Sequence, residues 1–288
     1  MTSKQRYAYY PGCALETTAR EYNQSIIEVC RALDIELLEI PDWSCCGASS
    51  AHMTDYRLGH ALAARNLGLA EKQGLDIAVA CPACLQRLKS TQLELSNNPE
   101  LAGELRELFS LTGERKYQIR HILDIIYHDV GAEKIKEKVT KPLEGLRVAG
   151  YYGCYLVRPQ KLVAFDDPEN PQSLDTVLAA AGAEVMDWDG KVDCCGGSLS
   201  LAEKGITARL VAHIFEAAQA AGAEALVTAC PLCQLNLETR QGGDKPLPVF
   251  YFTELLGLAL GLPAGSWFKK HLISPWRLLE SHRLLVRS

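Results

Sequence analysis

Several features are missing from this 288-residue sequence, and each absence narrows what the chain can do. There is no excess of positive charge: 30 lysines and arginines face 35 aspartates and glutamates, giving a net charge of −5. No basic stripe interleaved with aromatics runs along it, so nucleic acid is not an expected partner. There is no unbroken apolar run of membrane-spanning length. The longest, Val249 to Phe268, contains Glu254 and Pro263, and no spanning helix is expected. Met1 to Arg6 leads into a strand-like Tyr7-Ala8-Tyr9-Tyr10 without an apolar h-region, so the expectation is a cytoplasmic protein without a secretory signal. No G-x-G-x-x-G follows a predicted strand, so neither a flavin nor a nicotinamide site is expected in this chain. What remains is a composition with 48% apolar and 23% charged residues, that of a globular protein long enough for two domains.

Cysteine is the residue present in excess. There are eleven, and in a cytosolic chain metal binding or redox chemistry is a more natural use for them than disulfides. Setting Cys30 aside, the same pattern occurs twice. The first copy is Cys13, Cys45-Cys46-Gly47 and Cys81-Pro82-Ala83-Cys84. The second is Cys154, Cys194-Cys195-Gly196 and Cys230-Pro231-Leu232-Cys233. The Cys-Cys and CPxC elements repeat at an offset of 149 residues and the first cysteine at 141, so the second copy holds eight extra residues, within Arg158 to Pro171. Flanking segments repeat too: Arg6 to Cys13 matches Arg147 to Cys154, Leu75 to Cys81 matches Ala223 to Cys230, and His121-Ile-Leu-Asp-Ile loosely matches Phe252-Thr-Glu-Leu-Leu. A repeat of this length is a duplicated domain.

Each half alternates strands and helices. Strands are predicted at Tyr7–Tyr10, Glu36–Ile40, Ile77–Ala80, Arg147–Gly150, Glu184–Asp187 and Ala225–Thr228. Helices are predicted at Glu21–Leu33, at His52–Gln73 with an interruption near Gly59, from about Ala83, and at Ser173–Ala181 and Ala202–Ala221. The expected fold is α/β, two pseudo-symmetric Rossmann-like domains with parallel sheets. The expected boundaries are 1–135 and 145–262, with a charged linker over Val130–Leu146 and a tail over 263–288. Ligands of such sheets bind beyond the carboxyl ends of the strands, which is where every cysteine group falls.

A CPxC turn at a helix start favours thiolates through the helix dipole and its free N–H groups, and thiolate is the form that soft metals bind. Adjacent cysteines point apart and reach different irons of a cluster more easily than one tetrahedral ion. Five sulfurs per half exceed the four ligands of zinc and favour an iron–sulfur cluster, with zinc in one or both halves left open. Cys30, on the apolar face of a helix, is read as a core residue.

The double pattern C-x31-CCG-x33-CPxC and C-x39-CCG-x33-CPxC, over residues 6 to 262, resembles the tandem CCG motif that marks the substrate-cleaving subunit of heterodisulfide reductase and its bacterial relatives. The wording around it (Tyr-Tyr-Pro-Gly-Cys13, Asp-Trp-Ser-Cys45-Cys46-Gly-Ala-Ser-Ser) is more similar to the bacterial branch. The resemblance implies two noncubane [4Fe-4S] clusters, held by Cys13, Cys45, Cys46, Cys81 and Cys84 and by Cys154, Cys194, Cys195, Cys230 and Cys233. It also implies reductive cleavage of a disulfide or related sulfur substrate between the clusters. Electrons would come from a small ferredoxin-like [4Fe-4S] subunit and an FAD subunit. Similar double-CCG chains serve as electron-transfer subunits of flavin-dependent dehydrogenases, which is the competing expectation, and a zinc-organised scaffold is a third.

Some residues outside the motif carry expectations. His52 and His60, eight apart on one helix, could serve a cluster sulfur but are read as surface or packing residues. His121, at the end of the last strand of the first half, is open to a functional or a packing reading. Trp43 and Trp188 precede the Cys-Cys pairs and are read as apolar cover. The tail, from Trp267 through Trp276 and Arg277 to Val286 and Arg287, is expected to dock on its own domain or a partner, with a membrane-surface contact as the sharper alternative.

Overall fold

A computed structural model describes residues 4–48, 51–112, 117–242 and 246–285. Its strands are β1 (Gln5–Tyr10), β2 (Ile35–Glu39), β3 (Ile77–Val79), β4 (Ile119–His121), β5 (Arg147–Tyr151), β6 (Glu184–Val185), β7 (Ala225–Thr228) and β8 (Val249–Tyr251). They form two all-parallel sheets with strand orders β2-β1-β3-β4 and β6-β5-β7-β8, the duplicated Rossmann-like architecture expected. In each sheet the order reverses at the first strand, so a crevice opens beyond the carboxyl ends of β1 and β3, and again beyond β5 and β7. The register is equivalent in the two halves: Tyr10 pairs with Val79, and Tyr151 with Thr228.

Alternation along the strands builds three cores. Tyr7 and Tyr9 point into a central core shared by both halves, while Ala8 and Tyr10 point into an outer core of the first half. Val148 and Val227 join the central core, and Ala149, Tyr151 and Leu226 an outer core of the second half. Helices Arg20–Ala32, Ser173–Ala180 and Phe252–Ala259 contribute Ile26, Val29, Leu174, Leu178, Leu255 and Leu256 to the shared core. Cys30 is buried there, as expected, and burial pushes its thiol up to about 12.

Local differences from the sequence reading have physical causes. The long helix after Cys46 breaks at Asp55, four residues before Gly59, into Ala51–Thr54 and Tyr56–Glu71. Asp55 is extended and its carboxylate accepts the Leu58 N–H at 2.7 Å, an N-cap. Gly59 lies where the two pieces meet, and a Cβ there would stand 2.8 Å from His52 Cα. The segment 130–146 contains a helix, Ala132–Lys138, and buries Ile135, Leu143 and Leu146. The helix expected at Ala202–Ala221 spans Lys204–Ala220, after a 3-10 turn at Gly197–Leu199. The match of His121 with Phe252 shifts by one residue: β4 ends on His121 and β8 on Tyr251. The tail docks on its own chain, burying Trp267, Phe268, Leu279 and Leu284 in the shared core, while Val286 and Arg287 lie outside the described residues.

Candidate functional site

The three cysteine loops of each half meet in the crevice beyond its strands. In the first half, Cys13 Sγ lies 3.8 Å from Cys45 Sγ, and Cys46 Sγ 3.2 Å from Cys84 Sγ. In the second, Cys195 Sγ lies 3.6 Å from Cys233 Sγ. No disulfide joins the cysteines, whose sulfurs stand well beyond bonding distance. Cys81 and Cys230 sit at the N-caps of helices Pro82–Asn97 and Pro231–Arg240, each with proline in the first turn. Backbone N–H groups point at sulfur from Gly47 to Cys45, from Gly196 to Cys194, and from Cys233 to Cys230.

Residues outside the motif fix this geometry. The Tyr10 hydroxyl donates to the Ser44 carbonyl at 2.7 Å, and the Tyr151 hydroxyl to the Asp193 carbonyl at 2.6 Å. Each tyrosine thus pins the residue just before its Cys-Cys pair. Asn66 bonds both the N–H and the carbonyl of Ser44, while Asn236 donates to the Cys195 carbonyl. Gly12 and Gly153, one residue before Cys13 and Cys154, have φ of +79° and +65°. A Cβ at Gly12 would stand 3.1 Å from Cys84 Sγ, and one at Gly153 3.2 Å from Cys233 Sγ. In sequence the only mark of this pair is a glycine directly before the first cysteine of both copies.

Crowded sulfurs cannot all keep ordinary acidities. Hydrogen bonding with Cys13 is the main influence holding Cys45 far below the usual thiol range, and Cys154 is the main one lowering Cys194 to about 6. Cys13 and Cys154 are pushed up by the same contacts and by burial. Cys84 and Cys233 are pushed up mainly by Cys46 and Cys195. Cys45 and Cys194 each also accept a glycine N–H, and Cys81 and Cys195 are lowered as well, mainly by Cys84 and Cys233. Each site therefore presents thiolate, the state a soft metal requires.

The five cysteines of the second site line a cavity of about 150 Å³ together with Tyr155, Leu232 and, from the first half, Pro82 and Ala83. That volume is small beside pockets for organic ligands, which run to several hundred Å³, and suits a compact inorganic cluster. Across the seam, the Gln86 amide donates to the Tyr155 carbonyl at 2.8 Å and to the Arg158 carbonyl. The short helix at Cys13 in turn packs against helix Pro231–Arg240. The two sites thus adjoin. Among the described residues, no three His, Cys, Asp or Glu side chains gather around a single-ion position.

The histidines hold structure. The Leu123 N–H donates to His121 Nδ1 at 3.1 Å, and His121 Nε2 donates to the Ala80 carbonyl at 2.9 Å, which fixes a neutral tautomer. Burial lowers its pKa to about 4. His121 therefore anchors the residue before Cys81. His60 is buried against Thr91, and His52 reaches the Gly47 carbonyl at 3.3 Å. Trp43 packs edge-on against Tyr10, and Trp188 donates to the Gly150 carbonyl beside Tyr151, so both cover the pinning tyrosines.

Comparison with known proteins agrees with this duplication. The cysteine-rich CCG domain family matches residues 7–89 and 148–238. The 8-methylmenaquinol:fumarate reductase membrane anchor subunit of Wolinella succinogenes is 35% identical, over 93% of this chain and 96% of its own. A subunit of the ferredoxin/F(420)H(2)-dependent CoB-CoM heterodisulfide reductase of Methanosarcina acetivorans is 33% identical, over 80% of each chain. A solved structure of a hypothetical protein from Helicobacter pylori shares the fold, with a TM-score of 0.68 at 13% identity. It is covered over 51% of its length and covers 93% of this chain. No helix among the described residues is long and apolar enough to cross a membrane. With two CCG domains, each gathering five thiols beyond its sheet, and relatives of this kind over nearly its whole length, the chain belongs to the tandem CCG-domain family of iron–sulfur proteins that includes this heterodisulfide reductase subunit.

Proposed function

We propose that this chain is the sulfur-substrate subunit of a cytoplasmic redox complex and cleaves a disulfide reductively between its two cysteine sites. The net reaction is RS–SR′ + 2 e⁻ + 2 H⁺ → RSH + R′SH. The single observation that carries the reading is that the two five-thiol sites adjoin, with Pro82 and Ala83 of one half lining the cysteine cavity of the other.

In this reading Cys13, Cys45, Cys46, Cys81 and Cys84 hold one noncubane [4Fe-4S] cluster, and Cys154, Cys194, Cys195, Cys230 and Cys233 hold the other. Bound there, such clusters would supply one electron each. The chain's own residues do the rest. Tyr10, Tyr151 and Asn236 hold the Cys-Cys loops in place, and Leu232 and Tyr155 put apolar surface at the rim. Electrons arrive from a ferredoxin-like [4Fe-4S] subunit and an FAD subunit.

A second reading is an electron relay between a dehydrogenase partner and a quinol. The 35% identity to the menaquinol:fumarate reductase subunit favours it. One experiment separates the two. Iron and acid-labile sulfide are measured on anaerobically purified protein, and the oxidised form is examined by EPR with and without added thiol. About eight irons and a thiol-dependent signal support the reductase. The same iron without a thiol response supports the relay, and zinc without iron ends both.

A further inference from the structure

We propose that a groove on the outer side of the first half docks an acidic segment of the subunit that delivers electrons to this chain. The partner's role rests on the redox-complex reading above; the docking groove does not.

The groove has a volume of about 880 Å³ and shares no lining residue with the cysteine cavity of the second site. One wall is a face of helix Pro82–Asn97, from Lys89 through Leu93 to Ser96. Another comes from the second half, Lys161 to Phe165. These residues lie within Arg158 to Pro171, the stretch that holds the second copy's eight extra residues. The stretch forms a short helix, Gln160–Val163, and crosses onto the first half. Val163 is buried in that half's outer core, and the Lys89 ammonium donates to the Val163 carbonyl at 3.0 Å. The first copy closes the same loop without the extra residues, so this wall is an addition to the fold.

The charges of the groove are unevenly spent. Arg120 bonds Asp124 through two nitrogens at 2.9 Å and Asp129 at 2.7 Å, and His128 Nδ1 lies 2.8 Å from Asp124. A π-helical turn, Ile126–Val130, carries His128 and Asp129 into this network. Glu71 accepts the N–H and the hydroxyl of Thr112. The other cations of the lining, Lys89, Arg106 and Lys161, form no ion pair among the described residues. Only positive charge is left over, in a chain whose net charge is −5. The groove is therefore complementary to carboxylates, with Leu93, Leu162 and Phe165 as apolar footing beside them.

Exposure favours a partner chain over a small ligand. Pockets for small molecules bury about 70–90% of the ligand surface. Here Leu93 is 53% exposed, and Arg106 and Lys161 are exposed too, so the groove is open at its rim and suits a segment anchored in a larger body. The groove also leads back to a cysteine site. Lys89 stands five residues beyond Cys84 on one helix, about 7.5 Å along the axis at the α-helical rise. A partner seated here abuts the helix that carries Cys84, and its electrons enter at the first site.

The test uses the purified complex with its clusters, kept anaerobic. p-Benzoylphenylalanine replacing Leu93 places a photo-cross-linker in the groove. The expected product joins this chain to the electron-delivering subunit, within a segment that mass spectrometry shows to be rich in aspartate and glutamate. Arg106→Glu combined with Lys161→Glu should weaken association of that subunit with the cluster-loaded chain by about tenfold at low salt and flatten its salt dependence. Arg106→Gln with Lys161→Gln should lose less, and both variants should keep full iron and sulfide. A cross-link to a basic segment, to another subunit or to none overturns the proposal. So does an affinity that the charge reversals leave unchanged. A small organic anion retained by the unsubstituted chain in native mass spectrometry, and lost on charge reversal, also overturns it, because the groove is then a ligand pocket. Disulfide turnover with reduced viologen, a reductant that needs no docked subunit, is measured in parallel. The expected cross-link and salt effect without disulfide turnover sink the reductase reading and leave the docking groove standing.

Discussion

At the residue scale, the geometry depends on side chains that are absent as much as on the ten that are present. Gly12 has φ of 79° and ψ of 161°, a region open essentially to glycine alone, and its missing Cβ leaves room for Cys84 Sγ. Gly12→Ala should cost about 1–3 kcal/mol in backbone strain and displace a sulfur. The expected outcome is loss of the first half's share of iron and sulfide, roughly half the total, with the second site intact. Gly153→Ala should do the reverse. Gly205, near the start of helix Lys204–Ala220, has open space around its Cβ direction and serves as the control. Its alanine variant should keep full iron content, and a shortfall there would remove the steric explanation. The ten cysteines were legible because they repeat at fixed spacing. Tyr10, Tyr151, Asn66 and Asn236 were not, because each acts on a backbone carbonyl that only the folded loop brings within reach.

At the scale of elements, the tail shows what a sequence pattern leaves out. Its aromatic and aliphatic residues predict docking, and Trp267 and Phe268 are buried, but the polar fastening is non-local. The His271 ring lies between two buried carboxylates, Nδ1 at 3.1 Å from Glu238 and Nε2 at 3.0 Å from Glu254. Glu238 belongs to the helix that begins at the second CPxC turn, and Glu254 to the helix that follows β8. Burial alone would lower the His271 pKa, yet the field of Glu254 and its bonds to both glutamates prevail and raise it to about 10. The folded pKa lies above the unfolded value of about 6.5. The stabilisation is therefore complete below about pH 6.5, falls as pH rises, and is gone above about pH 10. His271→Gln leaves two buried carboxylates without their cation and should cost about 3–5 kcal/mol near pH 6. Melting temperatures of the two proteins should converge towards pH 10, and a gap that stays constant with pH would refute the charged-histidine account. The break at Asp55 is the opposite case. An aspartate three residues before Leu58 is a local N-cap signal, so its partner could be read from sequence alone.

At the scale of the molecule, the duplication was plain in the cysteine spacing, but the way the copies join was not, since no motif encodes a packing surface. The shared core makes the two halves one structure. Tyr22 of the first half stacks on Tyr251 of the second, with centroids 4.1 Å apart and planes within 5°. Its hydroxyl donates to the carbonyl of Ala229, the residue before Cys230, at 3.2 Å. Ser25 and Thr253 share a buried hydrogen bond at 2.6 Å beside it. One half alone would expose this surface, so unfolding of the holo protein should be a single transition when followed by circular dichroism and by the visible absorption of either site. Tyr22→Ala removes an aromatic ring from a full core, at about 3–5 kcal/mol for such truncations. It also frees the carbonyl that precedes the second site's CPxC turn. A residue of the first half should therefore loosen iron at the second, and the two halves should still melt together. Tyr22→Phe keeps the stack and loses only the hydrogen bond, so it should fall between. If Tyr22→Ala instead separates the transition in two, with the second site's iron retained in the later phase, the halves are independently stable and the shared core does not couple them.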